Sequence, residues 1–213
     1  MNVTIFGAGV YGVELARILT RNYQTVNFFD PYKIPVTMEE ALVGTEVVVL
    51  ALPSNYIEET LDKIKRIFGK KFDDLPIISA SKGLLYEEKL PKNFSILFGP
   101  AFAKELNLQK KVIFTITNQL SAKLFKAKNV KFEYTEDLSG AMLLAVLKNI
   151  YAVRAGLDDL EPSSRKFAEF IATVYGEMKK ALEIFGCNKL TVDLSCGLAD
   201  LVLTAGSVHS RNY

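Results

Sequence analysis

The 213-residue sequence contains one histidine, His209, and two cysteines, Cys187 and Cys196. The cysteines form no C-x-x-C, which excludes the usual zinc ligand sets, and no metal site is expected. They read instead as a reduced, buried pair of thiols in a cytosolic protein. Long blocks of one charge are also absent: 26 basic side chains face 24 acidic ones, for a net charge of +2. That balance gives no reason to expect nucleic acid or a membrane surface as partner. The lysine-rich stretches from Lys63 to Lys71 and from Lys123 to Lys131 read as solvated faces, because acidic residues and apolar helix positions surround them. Met1 to Phe6 runs directly into a strand pattern, so no charged-then-apolar targeting segment is expected. The longest apolar run, Ala141 to Leu147, is far short of the ~20 residues that a membrane helix needs. The expectation is a soluble, cytoplasmic protein without membrane insertion.

What is present is an ordinary globular composition, 49% apolar and 23% charged. A chain of this length can bury a sufficient core without staples. Short β-branched runs (Asn2–Phe6, Thr25–Phe29, Glu46–Ala51, Pro76–Ala80, Phe94–Phe98) alternate with helical periodicity. Val10–Asn22 and Tyr56–Phe68 each carry a broad apolar stripe of the kind that covers a sheet. Strands apolar on both faces and alternating with helices predict a parallel, doubly wound α/β sheet. Val112–Thr117 and Val130–Tyr134 add two further strands around a short helix, Leu120–Lys126. Beyond Tyr134 the period changes. Asp137–Leu160 reads as one long helix, broken at Glu161-Pro162-Ser163-Ser164, where the serines can cap the next helix. That helix stops at Gly186, and a third helical piece begins near Gly197. The pattern divides the chain into an α/β part over residues 1–136 and an all-helical part over 137–213, which the motifs and the resemblance below make a dinucleotide-binding domain and a catalytic or substrate domain.

The first strand leads into Gly7-Ala8-Gly9-Val10-Tyr11-Gly12 and then a helix, a G-x-G-x-x-G in its expected context. Gly7 permits the tight turn, Gly9 lets a pyrophosphate approach the backbone, and Gly12 lets the helix lie close to the strand. The helix start offers free N–H groups and a partial positive charge to phosphates. Asp30 closes the second strand, eighteen positions past Gly12. A carboxylate there accepts hydrogen bonds from ribose hydroxyls and repels a 2′-phosphate, which favours NAD over NADP; Lys33 nearby softens that preference. These features predict a Rossmann-type cofactor site, with ligands beyond the carboxyl ends of the strands.

The residues closing the strands are Gly7, Asp30, Pro53-Ser54, Ser81-Lys82-Gly83 and Gly99-Pro100. Lys82 is the one cation among them and suits an anionic substrate. Lys148-Asn149 interrupts an otherwise apolar helix. Two adjacent polar residues there must be satisfied, and a desolvated lysine becomes a usable acid–base group near neutral pH. Asp200, framed by apolar neighbours, is a candidate countercharge for Lys148.

These pieces together resemble the NAD-dependent glycerol-3-phosphate dehydrogenase family. The matching segments are Gly7–Gly12, Val49–Ser54 (VLALPS), Ser81–Leu84 (SKGL), Gly99–Glu105 (GPAFAKE), Leu147–Ile150 (LKNI) and Ser195–Thr204 leading to Ser210-Arg211-Asn212. The resemblance implies proton transfer by Lys148, with Asp200 beside it as a second catalytic residue. It implies substrate binding by Lys82, Asn149, Thr204, Arg211 and Asn212. It also implies NAD contacts from Gly7, Ala8, Gly9, Val10, Tyr11, Gly12, Asp30, Pro53, Ser54, Lys82, Ala103 and Arg211. The implied reaction interconverts sn-glycerol 3-phosphate and dihydroxyacetone phosphate, a small phosphorylated substrate. Two departures stand out. Ser164-Arg165-Lys166-Phe167 replaces the family's asparagine–lysine–alanine segment, and the family continues beyond the arginine–asparagine motif, so the resemblance implies either a shortened member or a catalytic domain completed by another chain. Two alternatives remain at this point: a non-catalytic NAD-binding protein for sensing or association, and a related dehydrogenase of another small anionic substrate. Gly197–Val208, with Leu198, Leu201, Val202 and Leu203, is expected to expose an apolar face and to join a homodimer through the helical region.

Overall fold

The computed structural model describes residues 1–22, 25–85, 87–103, 106 and 110–207. Among the described residues, seven strands form one sheet: β1 Asn2–Phe6, β2 Thr25–Phe29, β3 Val47–Leu50, β4 Ile77–Ser79, β5 Phe94–Phe98, β6 Val112–Ile116 and β7 Val130–Tyr134. Their spatial order is β2-β1-β3-β4-β5-β6-β7. The first five are parallel, as the alternation predicted; β6 then runs antiparallel to β5, and β7 runs parallel to β6. The sequence pattern contains no sign of that reversal, because both directions present the same apolar run.

Both faces of the sheet are covered. Val47, Val48, Val49 and Leu50 are wholly buried, which is why this strand reads as a continuous apolar run. One face packs against α1 (Val10–Thr20) and α4 (Gln119–Leu124) through Leu15, Leu19 and Leu124. The other packs against α3 (Ile57–Phe68) and against the long helices α5 (Leu138–Leu157) and α6 (Arg165–Ile184). Ile57, Leu61 and Ile64 share this second core with Ala141, Leu144, Met178 and Leu201, so the helical region and the sheet bury apolar surface together.

The helix starts follow from their caps. Asp137 accepts the Gly140 N–H at 2.9 Å and opens α5; Ser164 accepts the Phe167 N–H at 3.1 Å and opens α6, as the serine pair suggested. Helix α5 has 20 residues and is long and apolar enough to cross a membrane by length and composition. The uninterrupted apolar run underestimated it, because Lys148 and Asn149 divide the run without ending the helix. Half of the helix is buried inside the fold.

Three expectations change. The segment after Gly186 opens with a short 3-10 turn, Lys189–Asp193, and then a π-turn, Ser195–Ala199, whose backbone breaks at Gly197 (φ −95°, ψ −105°) before α7 (Asp200–Ala205). Its apolar side is largely covered: Leu201 is wholly buried, Leu198 and Leu203 are half-buried, and Val202 is exposed. Exposed apolar side chains lie instead along α5, at Ile150, Val153 and Leu157. Of the two free cysteines, Cys196 is buried but Cys187 is only half-buried.

The edge at β2 matters for the site. In the usual doubly wound order a further strand lies outside the second one. Here the chain leaves β2 and, with only the one-turn helix α2 (Met38–Ala41), crosses directly to β3 on the far side of β1. The strand order therefore reverses between β1 and β3, beside the glycine turn.

Candidate active site

The glycine turn begins where β1 ends. Gly7 has φ +104°, and a Cβ there would lie 2.4 Å from the Ala51 carbonyl oxygen. A Cβ on Gly12 would lie 2.1 Å from the Gly7 oxygen, so helix α1 can approach the turn only without a side chain there. A Cβ on Gly9 would meet nothing within 4 Å. That open space faces the start of α1, whose hydrogen-bond ladder begins with Val13 N–H donating to Gly9, one turn beyond the first N–H groups. A tight turn, a close helix and an open cradle at a helix N-terminus fit a dinucleotide pyrophosphate. Asp30 lies beside them, with one carboxylate oxygen accepting the Ala8 N–H at 2.9 Å and the other accepting the Tyr32 N–H at 3.1 Å. Ser54 and Pro53 are exposed after β3, Val10 is exposed on α1, and Ala103 is half-buried.

The second half of the site gathers around Asp200. Lys82, at the end of β4, donates to one Asp200 carboxylate oxygen at 2.5 Å and to the Gly99 carbonyl at 3.1 Å. Lys148, from α5, donates to the other Asp200 oxygen at 2.8 Å and to Thr204 Oγ1 at 2.9 Å. Thr204 in turn donates to the Asp200 carbonyl at 2.6 Å. Lys148 is 4% exposed and Asp200 2%. Burial first and the positive charge of Lys82 second lower the Lys148 pKa, and against the opposing pull of Asp200 the result is about 7. Asn149 turns its amide to the Ala145 carbonyl at 2.9 Å. Arg211 and Asn212 lie outside the described residues, as do Lys104 and Glu105 of the GPAFAKE segment.

Two groups that brace this cluster, Thr115 and Glu133, carry no mark in the sequence. Thr115 on β6 accepts the Cys196 N–H at 3.0 Å and lies 2.9 Å from the Ser195 hydroxyl, and Glu133 on β7 accepts the Ser195 N–H at 2.7 Å. These bonds pin the π-turn to the sheet and so aim Asp200. Tyr11, from the glycine motif, has its phenol pKa raised by burial and then by the charge of Asp200. The glycine turn and the lysine cluster thus lie close together. Burial pushes the Cys196 thiol up to about 12, which leaves it inert.

A dinucleotide cradle opening onto a buried lysine–carboxylate–lysine cluster defines the class of nicotinamide-dependent dehydrogenases. Within that class, the chain belongs to the NAD-dependent glycerol-3-phosphate dehydrogenase family. The model of that family's N-terminus matches residues 32–123, and that of its C-terminus matches residues 137–213. A glycerol-3-phosphate dehydrogenase [NAD(P)+] of Bacillus pumilus is 27% identical over 258 residues, covering 99% of this chain and 74% of that protein. A relative of the same name from Mesoplasma florum is 29% identical, covering 100% of this chain and 77% of its own length. The crystal structure of the Coxiella burnetii enzyme superposes with a TM-score of 0.85 at 23% identity, over 99% of this chain and 77% of that one. The yeast enzyme gives a TM-score of 0.81 at 17% identity, over 100% of this chain and 78% of that one. The first alignment spans 258 positions against 213 residues, so at least 45 aligned positions have no counterpart within this chain. The direct crossover from β2 to β3 is one place where this sheet is shorter than the usual doubly wound order.

Proposed function

We propose that this chain interconverts sn-glycerol 3-phosphate and dihydroxyacetone phosphate with NAD(H), and that Lys148 carries the proton. When bound, the nicotinamide supplies or accepts the hydride. The observation that carries the reading is Lys148 itself, a 4%-exposed lysine held between Asp200 and Thr204 at 2.8 and 2.9 Å. Reducing a ketone requires a proton at the forming alkoxide oxygen, and an ammonium with a pKa of about 7 can give it near neutral pH. The same residue, neutral, takes the hydroxyl proton in the reverse direction. Asp200 orients Lys148, and Lys82 contributes the charge that suits a phosphorylated substrate. Asn149, Thr204, Arg211 and Asn212 complete the substrate end in this reading. Gly7 to Gly12, Asp30, Pro53, Ser54, Lys82, Ala103 and Arg211 hold the cofactor.

The division at residues 136 and 137 into a dinucleotide-binding part and a helical part belongs to the same reading. So do a cytoplasmic location without membrane insertion or nucleic-acid binding, and a homodimer through the helical region. Ile150, Val153 and Leu157 on α5 supply an exposed apolar stripe for that contact. Sedimentation showing only monomer at micromolar concentration would remove the dimer.

The test of function is loss of reduced-nicotinamide absorbance on adding dihydroxyacetone phosphate to protein and NADH. Oxidation of NADH supports the proposal. Demonstrable NADH binding without oxidation turns the assignment to a non-catalytic nucleotide-binding protein. Oxidation only with another small anionic ketone turns it to a related dehydrogenase.

A further inference from the structure

Ser195 and Cys196 open the π-turn that leads into Asp200, and the residue before them, Leu194, supplies no side-chain cap. Their N–H groups are met from the sheet instead. Glu133 accepts the Ser195 N–H at 2.7 Å, Thr115 accepts the Cys196 N–H at 3.0 Å, and the Ser195 hydroxyl lies 2.9 Å from Thr115 Oγ1. Thr115 and Glu133 are register partners on β6 and β7, so one cross-strand pair holds two consecutive residues of the turn. Thr115, Ser195 and Cys196 are all buried, and water cannot replace these bonds without opening the fold. The turn has no slack on its other side. A Cβ on Gly197 would lie 2.2 Å from the Val192 carbonyl oxygen, and the segment carrying Val192 is tied to Asp137, which accepts the Thr191 hydroxyl and the Asn188 N–H.

A carboxylate that serves two ammonium groups on two different elements has to be held from a third. Lys82 comes from the end of β4 and Lys148 from α5, and Asp200 reaches both only if α7 begins at the right place. We propose that Thr115 and Glu133 are positioning residues for the proton transfer: by clamping Ser195 and Cys196 to the sheet they keep Asp200 shared between Lys82 and Lys148. Lys148 is faced by Lys82 and by Asp200 and Thr204 of α7, while Tyr11 of α1 faces Asp200. The charges that act on Lys148 are those of Lys82 and Asp200, so Glu133 reaches it through the turn and not through its own field. Were the clamp to loosen, Asp200 could follow the more exposed lysine, Lys82, whose side chain is 23% exposed against 5% for Lys148. Lys148 would then stand beside an ammonium without its countercharge and would lose its proton at lower pH. The effect on turnover rests on the reaction proposed above; the effect on the titration of Lys148 does not.

The experiment compares the full-length wild type with Thr115→Val and Glu133→Ala, and with Thr115→Ser and Glu133→Gln, which keep an acceptor for the same N–H. Glu133 is half-buried on the edge strand, so its variants keep the test open if the buried Thr115→Val fails to fold. One readout needs no turnover: NMR titration of lysine side chains labelled at Cε, with the Lys148 signal assigned by its absence from Lys148→Met. The other is single-turnover oxidation of bound NADH by dihydroxyacetone phosphate, followed from about pH 5.5 to 8.5. Thr115→Val and Glu133→Ala should titrate Lys148 at lower pH than the wild type. Their ketone reduction should fall about three-fold or more at pH 7 and match the wild type at the acid end, where the donor is protonated in every variant. NADH affinity should not change, and Thr115→Ser and Glu133→Gln should restore the wild-type profile. A lower urea midpoint with the Lys148 titration unmoved would make the brace merely structural and overturn the proposal. Glu133→Gln behaving like Glu133→Ala would show that the charge matters and not the bond, which also overturns it for Glu133. A wild type that oxidises no NADH, with the Lys148 titration still shifted in the variants, would strike the functional reading and leave the positioning role standing.

Discussion

Lys82 and Lys148, 66 positions apart in the sequence, meet on the same carboxylate, each taking one oxygen of Asp200 at 2.5 and 2.8 Å. Two ammonium groups facing one carboxylate leave an excess of positive charge at the carboxyl ends of the strands. A phosphorylated substrate can neutralise that excess. The same crowding, together with burial, keeps Lys148 near its titration point, whereas an isolated ion pair would hold it charged.

The first prediction concerns pH. With a Lys148 pKa of about 7, ketone reduction should slow as pH rises through that value, because the protonated donor is lost. Alcohol oxidation should slow as pH falls through the same value, because the neutral acceptor is lost. Stability has its own sign. Between about 7 and the ordinary lysine value of 10.5, the unfolded chain binds a proton at this residue that the fold does not. Lys148 therefore makes the fold more stable as pH rises through that window. Urea midpoints at pH 7 and 9 should show the wild type gaining on Lys148→Met; parallel curves would contradict the low pKa.

A second prediction tests the bridge. Asp200→Asn keeps the shape and removes the charge, leaving two lysines facing each other without their partner. Breaking a buried pair in this way typically costs about 3–5 kcal/mol, so the urea midpoint should drop clearly. The pKa of Lys148 should also fall below about 7, because the one charge that raises it has gone. An unchanged midpoint together with an unchanged pH–rate profile would show that Asp200 does not govern Lys148.

The glycine turn separates binding from folding in a third prediction. Gly9→Ala adds a Cβ to open space, so the melting temperature should stay close to that of the wild type while NADH affinity drops at least ten-fold. Gly12→Ala pushes a Cβ to 2.1 Å from the Gly7 oxygen and should cost on the order of 1–3 kcal/mol of stability as well. Calorimetry with NADH titration compares the two. Full NADH affinity in Gly9→Ala would place the pyrophosphate elsewhere.

What the sequence made legible was local. Strand β1, the glycine turn and α1 follow one another within 20 residues, and a lysine–asparagine pair inside an apolar helix is visible as an interruption. Asp200 stands out by its apolar frame, but its bond to Lys82 joins residues 118 positions apart, and no spacing rule encodes that pairing. The brace from Thr115 and Glu133 to Ser195 has no sequence signal for the same reason: each residue is ordinary where it stands, and only the sheet brings them together. The antiparallel turn into β6 and the burial of Leu201 are likewise decided by packing, because a strand or helix pattern does not state its neighbour.

The last prediction is that replacing Lys148 removes chemistry and leaves the fold. A lysine at 4% exposure on α5 imposes a desolvation cost that a purely structural role does not need. Methionine matches its length and packs against the same apolar neighbours, so Lys148→Met should fold with equal or greater stability at pH 7. It should still bind NADH, because the bonds of Lys148 go to Asp200 and Thr204, whereas the glycine turn and Asp30 follow β1 and β2 and are held by backbone contacts of their own. General acid catalysis contributes about 10²–10⁴-fold, so turnover should fall by at least the lower bound. The decisive measurement is a single turnover, in which bound NADH is oxidised by dihydroxyacetone phosphate in the wild type and in Lys148→Met. A large drop in rate with unchanged NADH affinity assigns the proton to Lys148. Equal rates would leave Lys148 only a binding role, and Lys82, the other ammonium on Asp200, would then be the next candidate for the proton.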